Sequence, residues 1–320
     1  MRVMVTGGAG FIGSTLVDRL LAEGCDVDAI DDLSNGALAN LTDARAQRGR
    51  KFSFHRLDVC APQLRDLVTR RRPEVIFHLA AQLDVRVSVA RPIYDAQVNI
   101  LGSLNLCEAA VAAGSKKVVF AGSGGTLYGV PENLPVREGH AQRPISPYGV
   151  SKKAAGDYLY FYREVHGLEY TELALANVYG PRQDPTGEAG VVAIFAGQLL
   201  AGRQPVIYGD GKQTRDYLYV DDAVDAFVRA AERGGGLLMN IGTGVETSVL
   251  DIYGAMAKLA GFPNRPRFAP ERPGELARSA LDPGRAAIHL GWKPWTSLDE
   301  GLASTLDWFR DQLPAPRSKK

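Results

Sequence analysis

Tyr148 and Lys152 are the two side chains of this sequence whose types and spacing point most directly to chemistry. Four positions separate them, so both lie on one face of any helix that carries them. A tyrosine hydroxyl ordinarily has a pKa near 10, and its use as a base at neutral pH requires stabilising the phenolate by roughly 4 kcal/mol. A neighbouring ammonium group and a positively charged cofactor ring together supply such stabilisation. The pair therefore predicts proton exchange with a substrate alcohol.

Two hydroxyl residues, Ser123 and Thr126, follow an apolar run that ends at Ala121. A hydroxyl at the carboxyl end of a central strand can share a proton with Tyr148 and a substrate oxygen. Two glycines separate the candidates and let the loop turn either hydroxyl inward. Ser123 is preferred because it stands where the strand ends. Thr126 remains the alternative, and in a purely structural interpretation one of the two only caps the turn.

A glycine-rich turn predicts where a dinucleotide binds. The apolar run Val3-Met4-Val5 leads into Gly7, Gly10 and Gly13 and then into a helical pattern. Such glycines permit a tight turn and close backbone contact with a pyrophosphate, and the N-terminal N–H groups of the helix attract the phosphates. The spacing is Gly-x-x-Gly-x-x-Gly, so the strand–turn–helix context carries the prediction. Downstream of such a turn, a tyrosine and lysine four residues apart indicate a dehydrogenase-type centre.

Acidic residues follow the next two predicted strands. Asp31 and Asp32 come directly after Ile30, at the distance where a carboxylate accepts the hydroxyls of the adenosine ribose. A carboxylate there repels a 2′-phosphate, which favours NAD over NADP. A simple turn or cap fits Asp32 better than Asp31. Asp58-Val59 closes the third strand, where the carboxylate would reach the adenine amino group or initiate a turn.

The elements that must position these residues alternate between strand and helix. The N-terminal half predicts strands at 3–5, 26–30, 51–57, 75–80, 117–121 and 170–176, with helices at 11–22, 38–48, 103–113 and 148–166. This alternation indicates an α/β fold with a Rossmann-like doubly wound parallel sheet. Proline-rich sequence after residue 177 predicts a smaller, irregular α/β C-terminal substrate domain. We expect a cofactor domain at 1–177, with 217–241 returning to it through strands at 217–220 and 238–241, and a substrate domain at 178–216 and 242–320.

Composition excludes several classes of protein. The 320 residues carry 37 Lys and Arg against 36 Asp and Glu, a net charge of +1 that lacks the basic excess of nucleic-acid-binding proteins. No apolar run is long enough to span a membrane, and no signal peptide precedes the first strand. Three cysteines far apart predict reduced thiols and no metal site. We expect a cytoplasmic enzyme.

The sequence resembles the extended short-chain dehydrogenase/reductases over nearly its full length, and among them the nucleotide-sugar 4-epimerases of the UDP-glucose 4-epimerase type. Gly122 and the Gly124-Gly125 pair depart from the consecutive serines of many members. The motifs that carry the resemblance are Gly7/Gly10/Gly13, Asp31, His78-Leu79-Ala80-Ala81-Gln82, Asn99, the Ser123 loop, Tyr148/Lys152, Asn177-Val178-Tyr179-Gly180-Pro181-Arg182, Gly190 to Phe195, Thr214 to Tyr217 and Arg272 to Glu275.

The resemblance implies a cofactor site and a substrate site. In the substrate site, Asn177 and Arg215 would hold the UDP diphosphate with Arg272, while Val192, Tyr208 and Gln213 would line the uridine pocket. Arg215 has a surface ion pair as its alternative role, and Arg86 would face the sugar or be structural. The residues expected around NAD are Gly7, Gly10, Phe11, Ile12, Gly13, Asp31, Asp32, Ser34, Asn35, Asp58, Val59, Leu79, Ala80, Ala81, Gln82, Asn99, Tyr148 and Lys152.

The activity that the resemblance implies is 4-epimerisation of a UDP-hexose, by oxidation at C4 and reduction from the opposite face. UDP-glucose and UDP-galactose are the expected pair, and UDP-glucuronate 4-epimerisation is the alternative. The 4,6-dehydratases of the superfamily use an Asp-Glu pair after the loop hydroxyl, which this loop lacks, and no cue favours decarboxylation. An alternative of another class is an NAD-binding sensor or scaffold without catalysis. A homodimer through the helices at 103–113 and 148–166 is common in the family.

Overall fold

The apolar runs of the N-terminal half become strands of one parallel sheet. The computed structural model describes residues 1–47, 51–186, 190–271 and 276–312. Its seven-stranded sheet has the order β11-β6-β5-β4-β1-β2-β3, with every neighbouring pair parallel. This order confirms the predicted doubly wound fold. The strands are β1 (Arg2–Thr6), β2 (Asp26–Asp31), β3 (Phe52–Arg56), β4 (Val75–His78), β5 (Lys117–Ser123), β6 (Glu169–Leu175) and β11 (Leu237–Ile241).

Helices cover both faces of the sheet, because alternate side chains of each buried strand point to opposite sides. Val3 and Val5 enter one core beneath α1 and α10, whereas Met4 enters the other beneath α3, α6 and α8. The helices are α1 (Phe11–Ala22), α2 (Thr42–Ala46), α3 (Gln63–Arg71), α4 (Val85–Ala90), α5 (Pro92–Ala96), α6 (Gly102–Ala113), α7 (Gly124–Leu127), α8 (Pro147–His166), α9 (Val191–Leu200), α10 (Val220–Ala230), α11 (Val249–Ala260), α12 (Gly284–Leu290) and α13 (Leu298–Asp311), with a 3₁₀ turn at Leu38–Leu41 and a π-helical turn at Gln97–Leu101.

The remaining strands lie outside the central sheet and correct one prediction. The expectation that 217–220 returns to the first sheet is wrong, because the edge beside β6 is occupied by β11. β10 instead pairs with β7, which continues the chain just past the end of β6. The pairs are β7 (Asn177–Tyr179) with β10 (Tyr217–Tyr219), β8 (Val206–Tyr208) with β13 (Arg267–Ala269), and β9 (Thr214–Arg215) with β12 (Thr247–Ser248).

The second half of the chain packs its own helices together and is tied to the first half. α9, α11 and α13 pack against one another, and their apolar faces join the core beneath α1 and α10. Arg182 donates from Nη1 to Asp18 at 2.6 Å and from Nη2 to Asp43 at 2.9 Å, which fixes the loop after β7 to α1 and α2. None of the described helices has the length and apolar character needed to cross a membrane.

Candidate active site

The glycine turn packs too closely against its surroundings for any side chain. A Cβ at Gly7 would lie 2.8 Å from the Ala80 nitrogen, and a Cβ at Gly13 would lie 2.0 Å from the Gly7 carbonyl oxygen. Gly7 also has φ +69°, which glycine adopts without strain. Helix α1 begins after Gly10, and no side chain caps its N-terminus. The turn therefore fits a pyrophosphate held by free N–H groups and the helix dipole.

Asp31 is buried beside this turn. Its carboxylate accepts the N–H groups of Ala9 at 3.0 Å and Leu33 at 2.8 Å. Burial raises the pKa of Asp31, and the N–H donors act in the opposite direction. A Cβ at Gly36 would lie 2.8 Å from the carboxylate, so the loop after β2, which includes Ser34, wraps around it. This is the arrangement that a ribose-binding acid requires.

The other predicted acids have turn-forming roles. The Asp32 carboxylate accepts the N–H of Ser34 at 2.8 Å and its hydroxyl at 2.7 Å. The Asp58 carboxylate accepts the N–H of Cys60 at 2.8 Å and is exposed, whereas Val59 is buried. Asn35 is exposed in the loop after β2. Contacts of Asp32 and Asp58 with a dinucleotide stay predictions.

Asn99 fixes the segment that follows β4. Its side-chain oxygen accepts the N–H of Gln82 at 2.9 Å, and its amide group donates to the Gln82 carbonyl at 2.9 Å. Leu79, Ala80 and Ala81 are partly buried just before this clamp, opposite the glycine turn. The carboxyl ends of β1 and β4 thus form a cleft at the point where the strand order reverses, the usual dinucleotide position in this kind of sheet.

Helix α8 carries Tyr148 and Lys152 to this cleft. Ser146 caps the helix by accepting the N–H of Gly149, and Pro147 occupies the first helical position. The Lys152 ammonium donates to the Ala121 carbonyl at 2.9 Å and lies 5.9 Å from the centre of the Tyr148 ring. The structure therefore brings both predicted residues to the carboxyl end of β5.

Burial opposes the charged forms of both residues. It raises the pKa of Tyr148 to about 12, with a hydrogen bond from Ser123 acting to lower it and the negative charge of Asp95 raising it. It lowers the pKa of Lys152 to about 8. A phenolate at Tyr148 near neutral pH therefore requires a further positive charge beside the ring, and the nicotinamide ring of an oxidised dinucleotide is one such charge.

The two loop hydroxyls differ in their contacts. Ser123 is the residue that hydrogen bonds Tyr148. Thr126 points back into its own turn, where its hydroxyl donates to the Ser123 carbonyl at 3.4 Å. The geometry favours Ser123, the residue preferred from the sequence.

Two buried carboxylates next to the pair were missed by the sequence analysis. Asp95 is fully buried and accepts the Ser151 hydroxyl of α8 at 2.5 Å, the Asn99 amide at 3.1 Å and the Gln82 amide at 3.2 Å. Asp95 therefore links helix α8, which carries Tyr148 and Lys152, to Asn99 and to the segment that Asn99 holds in place. Its spacing four residues before Asn99 on one helical face was the available signal. Glu172 lies in β6 between two fully buried residues, Thr171 and Leu173, and a charge within a buried stretch of strand was the corresponding signal.

A cavity of about 490 Å³ opens beyond the carboxyl edge of the sheet. β7, α9, β8, β10 and the first residue of α11 form its walls. It brings together five of the predicted substrate residues, which come from distant parts of the sequence: Asn177, Val192, Tyr208, Gln213 and Arg215.

The cavity meets the catalytic loop at Asn177. A Cβ at Gly125 would lie 3.9 Å from the Asn177 side-chain oxygen, and Ser123 is the register partner of Leu175 at the end of β6. Arg215 is partly buried and donates to the Thr214 carbonyl at 2.8 Å. The cavity therefore adjoins the loop that follows Ser123.

Two predicted arginines are not placed in this cavity. Arg86 lies on α4, mostly exposed and 3.7 Å from Asp84, and it is not among the cavity-lining residues. Arg272 lies outside the described residues.

No group of three or more His, Cys, Asp or Glu side chains suited to a metal ion occurs in the described part of the chain.

The family model, the related sequences and the solved structures all indicate the same family. The GDP-mannose 4,6 dehydratase family model matches residues 4–305. The UDP-glucose 4-epimerase of Mycolicibacterium smegmatis is 52% identical over 98% of this chain and 99% of its own. The structure of the Thermotoga maritima UDP-glucose 4-epimerase with UDP-glucose has a TM-score of 0.93 at 43% identity, covering 97% and 99% of the two chains. The Thermus thermophilus UDP-glucose 4-epimerase with NAD has a TM-score of 0.90 at 42% identity, covering 98% and 100%.

Proposed function

The chain belongs to the GDP-mannose 4,6 dehydratase family of extended short-chain dehydrogenase/reductases, and we propose that it catalyses the NAD-dependent 4-epimerisation of UDP-glucose and UDP-galactose. One observation carries the proposal. Tyr148, hydrogen bonded to Ser123 and one helical turn from Lys152, lies at the carboxyl end of β5, and the loop after Ser123 adjoins the 490 Å³ cavity at Asn177. A dehydrogenase centre joined to a separate nucleotide pocket suits a reaction in which the sugar is oxidised and reduced without leaving.

The cofactor half holds NAD. We assign it residues 1–177 together with α10, which packs on α1, and β11, which joins the central sheet, and we assign 178–216 and 242–320 to the nucleotide sugar. The glycine turn fits the pyrophosphate, and Asp31 accepts the hydroxyls of the adenosine ribose. Because that carboxylate is buried beside the turn, the 2′-phosphate of NADP would be repelled.

The cavity holds the UDP group. Arg215 and Asn177 bind the diphosphate, because a guanidinium fork meets phosphate oxygens in pairs and the amide adds a donor. Val192, Tyr208 and Gln213 line the uridine end. Most of the binding free energy lies in the nucleotide, so the hexose is free to turn over while the complex stays together.

The chain's own residues handle the proton. NAD, when bound beside the glycine turn and Asp31, would supply the acceptor and donor of the hydride at C4 of the hexose. Tyr148 removes the proton of the C4 hydroxyl and later restores it, while Ser123 shares its hydrogen bond with the same oxygen. The Lys152 ammonium, which donates to the Ala121 carbonyl, stabilises the Tyr148 phenolate. The 4-keto sugar between the two transfers remains bound through its nucleotide.

Elimination of water from the keto sugar is not expected. The turn after Ser123 carries two glycines, and no acidic residue occurs in α7. Without a carboxylic acid beside C6, the leaving hydroxyl has no proton donor. The same keto sugar therefore returns by hydride transfer alone.

We infer a homodimer through α6 and α8. Tyr158, Phe161 and Val165 are large apolar residues on α8 that remain exposed at helical spacing, and Leu101 is exposed just before α6. Burial of such a face between two copies is the simplest way to remove it from water. Light scattering at several protein concentrations tests the dimer.

The cytoplasmic location stays a prediction.

A panel of three substrates tests the proposed function. The purified protein is incubated separately with UDP-glucose, UDP-glucuronate and UDP-N-acetylglucosamine, and the products are separated by ion-pair chromatography. We expect UDP-galactose as the fastest product. Faster turnover of UDP-glucuronate would replace the substrate assignment, and no turnover of any of the three with NAD bound would favour a sensor or scaffold.

A further inference from the structure

A buried carboxylate that the proposed mechanism does not use lies under the catalytic helix. Glu172 stands in the middle of β6 and is 7% exposed. Its neighbours Thr171 and Leu173 are fully buried, so the strand is central and not an edge. A carboxylate in such a position carries a large desolvation penalty unless a positive charge accompanies it.

Two glycines make room for this carboxylate. A Cβ at Gly156 on α8 would lie 2.4 Å from Oε2 of Glu172, and a Cβ at Gly122 on β5 would lie 2.8 Å from Oε1. Any side chain at either position would displace the carboxylate. Gly122 directly precedes Ser123, and Gly156 is one helical turn beyond Lys152. The carboxylate is thus enclosed by the two elements that carry the catalytic residues.

Lys152 shares this compartment. Phe120 is the register partner of Glu172, and the Lys152 ammonium stands 4.7 Å above the centre of the Phe120 ring. The same ammonium donates to the Ala121 carbonyl, next to Gly122. Lys152 and Glu172 attract each other through space in this buried compartment.

We propose that Glu172 is a positioning residue of the epimerase reaction, whose carboxylate keeps Lys152 in its ammonium form on the alkaline side of neutrality. The inference rests on the proposed function, since it assigns a role within that reaction. Glu172 touches neither reacting group. It acts through Lys152, and Lys152 acts on Tyr148.

The pKa values of Lys152 and Glu172 shift in the directions that the proposal requires. Burial lowers the pKa of Lys152 to about 8, and the negative charges of Glu172 and Asp95 oppose that fall. Burial raises the pKa of Glu172 to about 8, and Lys152 opposes that rise. As the pH increases, Glu172 loses its proton and the resulting carboxylate holds the proton on Lys152. Without Glu172, the negative charge of Asp95 alone would oppose the lowering of the Lys152 pKa by burial.

Other charged groups around Glu172 are accounted for. Asp157 and Lys153 on α8 also act on Glu172, with opposite signs, and pair with each other at 2.6 Å. Tyr170 on β6 and Tyr128 after α7 are neutral phenols whose pKa values are raised by burial. His78 on β4 is neutral, since burial lowers its pKa to about 3.

The test compares pH profiles. Glu172→Gln keeps the shape of the side chain and removes its charge. We expect the alkaline limb of kcat to move to lower pH by about one unit, with the acid limb and the KM for UDP-glucose unchanged. Glu164→Gln, an exposed carboxylate further along α8, is the matched control and keeps the unaltered profile.

A second variant separates charge from packing. Glu172→Asp retains the carboxylate on a shorter side chain and should keep the alkaline limb near its original position. If Glu172→Asp and Glu172→Gln move the limb equally, or if Glu172→Gln leaves it in place, the proposal is overturned. Absence of epimerisation by the unaltered protein would instead overturn the proposed function.

A measurement on the unaltered protein follows the titration of Glu172 directly. In protein labelled with ¹³C at the glutamate carboxyls, the Glu172 signal is assigned with Glu172→Asp and followed from pH 5 to 10. We expect a titration well above the ordinary glutamate value. A Glu172 carboxyl that stays protonated up to pH 10 would contradict the proposal, because it would carry no charge to hold the proton on Lys152.

Discussion

Two regions of the molecule are built in opposite ways. One is the glycine turn together with helix α8, and the other is the 490 Å³ cavity. The first region consists of contiguous motifs, since Gly7 to Gly13 and Tyr148 to Lys152 each lie on one turn or one helix. The cavity takes its walls from β7, α9, β8, β10 and α11, which are spread between residues 177 and 249 of the chain. The reacting groups are therefore fixed by local structure, whereas the substrate-holding groups depend on tertiary packing.

This difference predicts a division of kinetic effects. Changes among the reacting groups should lower kcat, because they remove interactions with the transition state. Changes in the cavity should raise KM with kcat nearly unchanged, because the UDP group is held equally in the ground state and in the transition state. The following variants test that division, in order of the expected effect.

Tyr148→Phe should have the largest effect. It removes the proton acceptor while keeping the ring, so kcat should fall by about 10³–10⁴-fold and bound NAD should be retained. Steady-state rates and the absorbance of the bound cofactor check both points. Tyr160→Phe, on the exposed face of the same helix, is the control. Activity of Tyr148→Phe close to that of the control would refute the assigned base.

Ser123→Ala and Thr126→Val should differ strongly from each other. Ser123 hydrogen bonds Tyr148, so its loss should lower kcat by about 10²-fold. Thr126 donates only to its own turn, and its loss should change kcat by less than about twofold. Parallel kcat measurements decide the assignment. A larger loss for Thr126→Val would transfer the catalytic role to that residue.

Arg215→Ala should act on binding. Loss of a charged hydrogen bond to a phosphate corresponds to about 2 kcal/mol, so KM for UDP-glucose should rise by about 30-fold while kcat changes little. Arg267→Ala, an exposed arginine outside the cavity lining, is the control. A fall in kcat with unchanged KM would place Arg215 among the reacting groups and break the division.

Asp95→Asn should give the smallest kinetic effect. The variant places an amide where the Ser151, Asn99 and Gln82 donors converge, so the free energy of unfolding should fall by about 1–3 kcal/mol. Because the charge of Asp95 raises the pKa values of both Tyr148 and Lys152, both limbs of the pH profile should move to lower pH. Denaturant titration and pH–rate profiles measure these changes. An acid limb that stays in place would contradict the electrostatic role of Asp95.

Much of the fold could be predicted from the sequence, since buried parallel strands read as short apolar runs between helical patterns. The course of Tyr217–Tyr219 could not, because a three-residue strand carries no sign of its partner. β10 pairs with β7 only because β11 already occupies the sheet edge. The partner of this strand is therefore decided by the assembly of the whole sheet, and the residues of the strand itself do not indicate it.

The candidate site divides in the same manner. Tyr148 and Lys152 were predictable because one helix sets their separation. The choice between Ser123 and Thr126 depended on the path of the loop, and the predicted place of Arg86 beside the sugar gained no support from its exposed position on α4. Asp95 and Ser151 meet across 56 positions of sequence, and no local pattern records such a contact.

The fate of the hydrogen at C4 tests the central claim most directly. UDP-glucose deuterated at C4 is incubated with the protein, and the UDP-galactose formed is examined by NMR spectroscopy. If Tyr148 handles only the hydroxyl proton while the carbon-bound hydrogen passes to NAD and back, the deuterium will be retained at C4 of the product. UDP-galactose that carries solvent hydrogen at C4 would contradict this account.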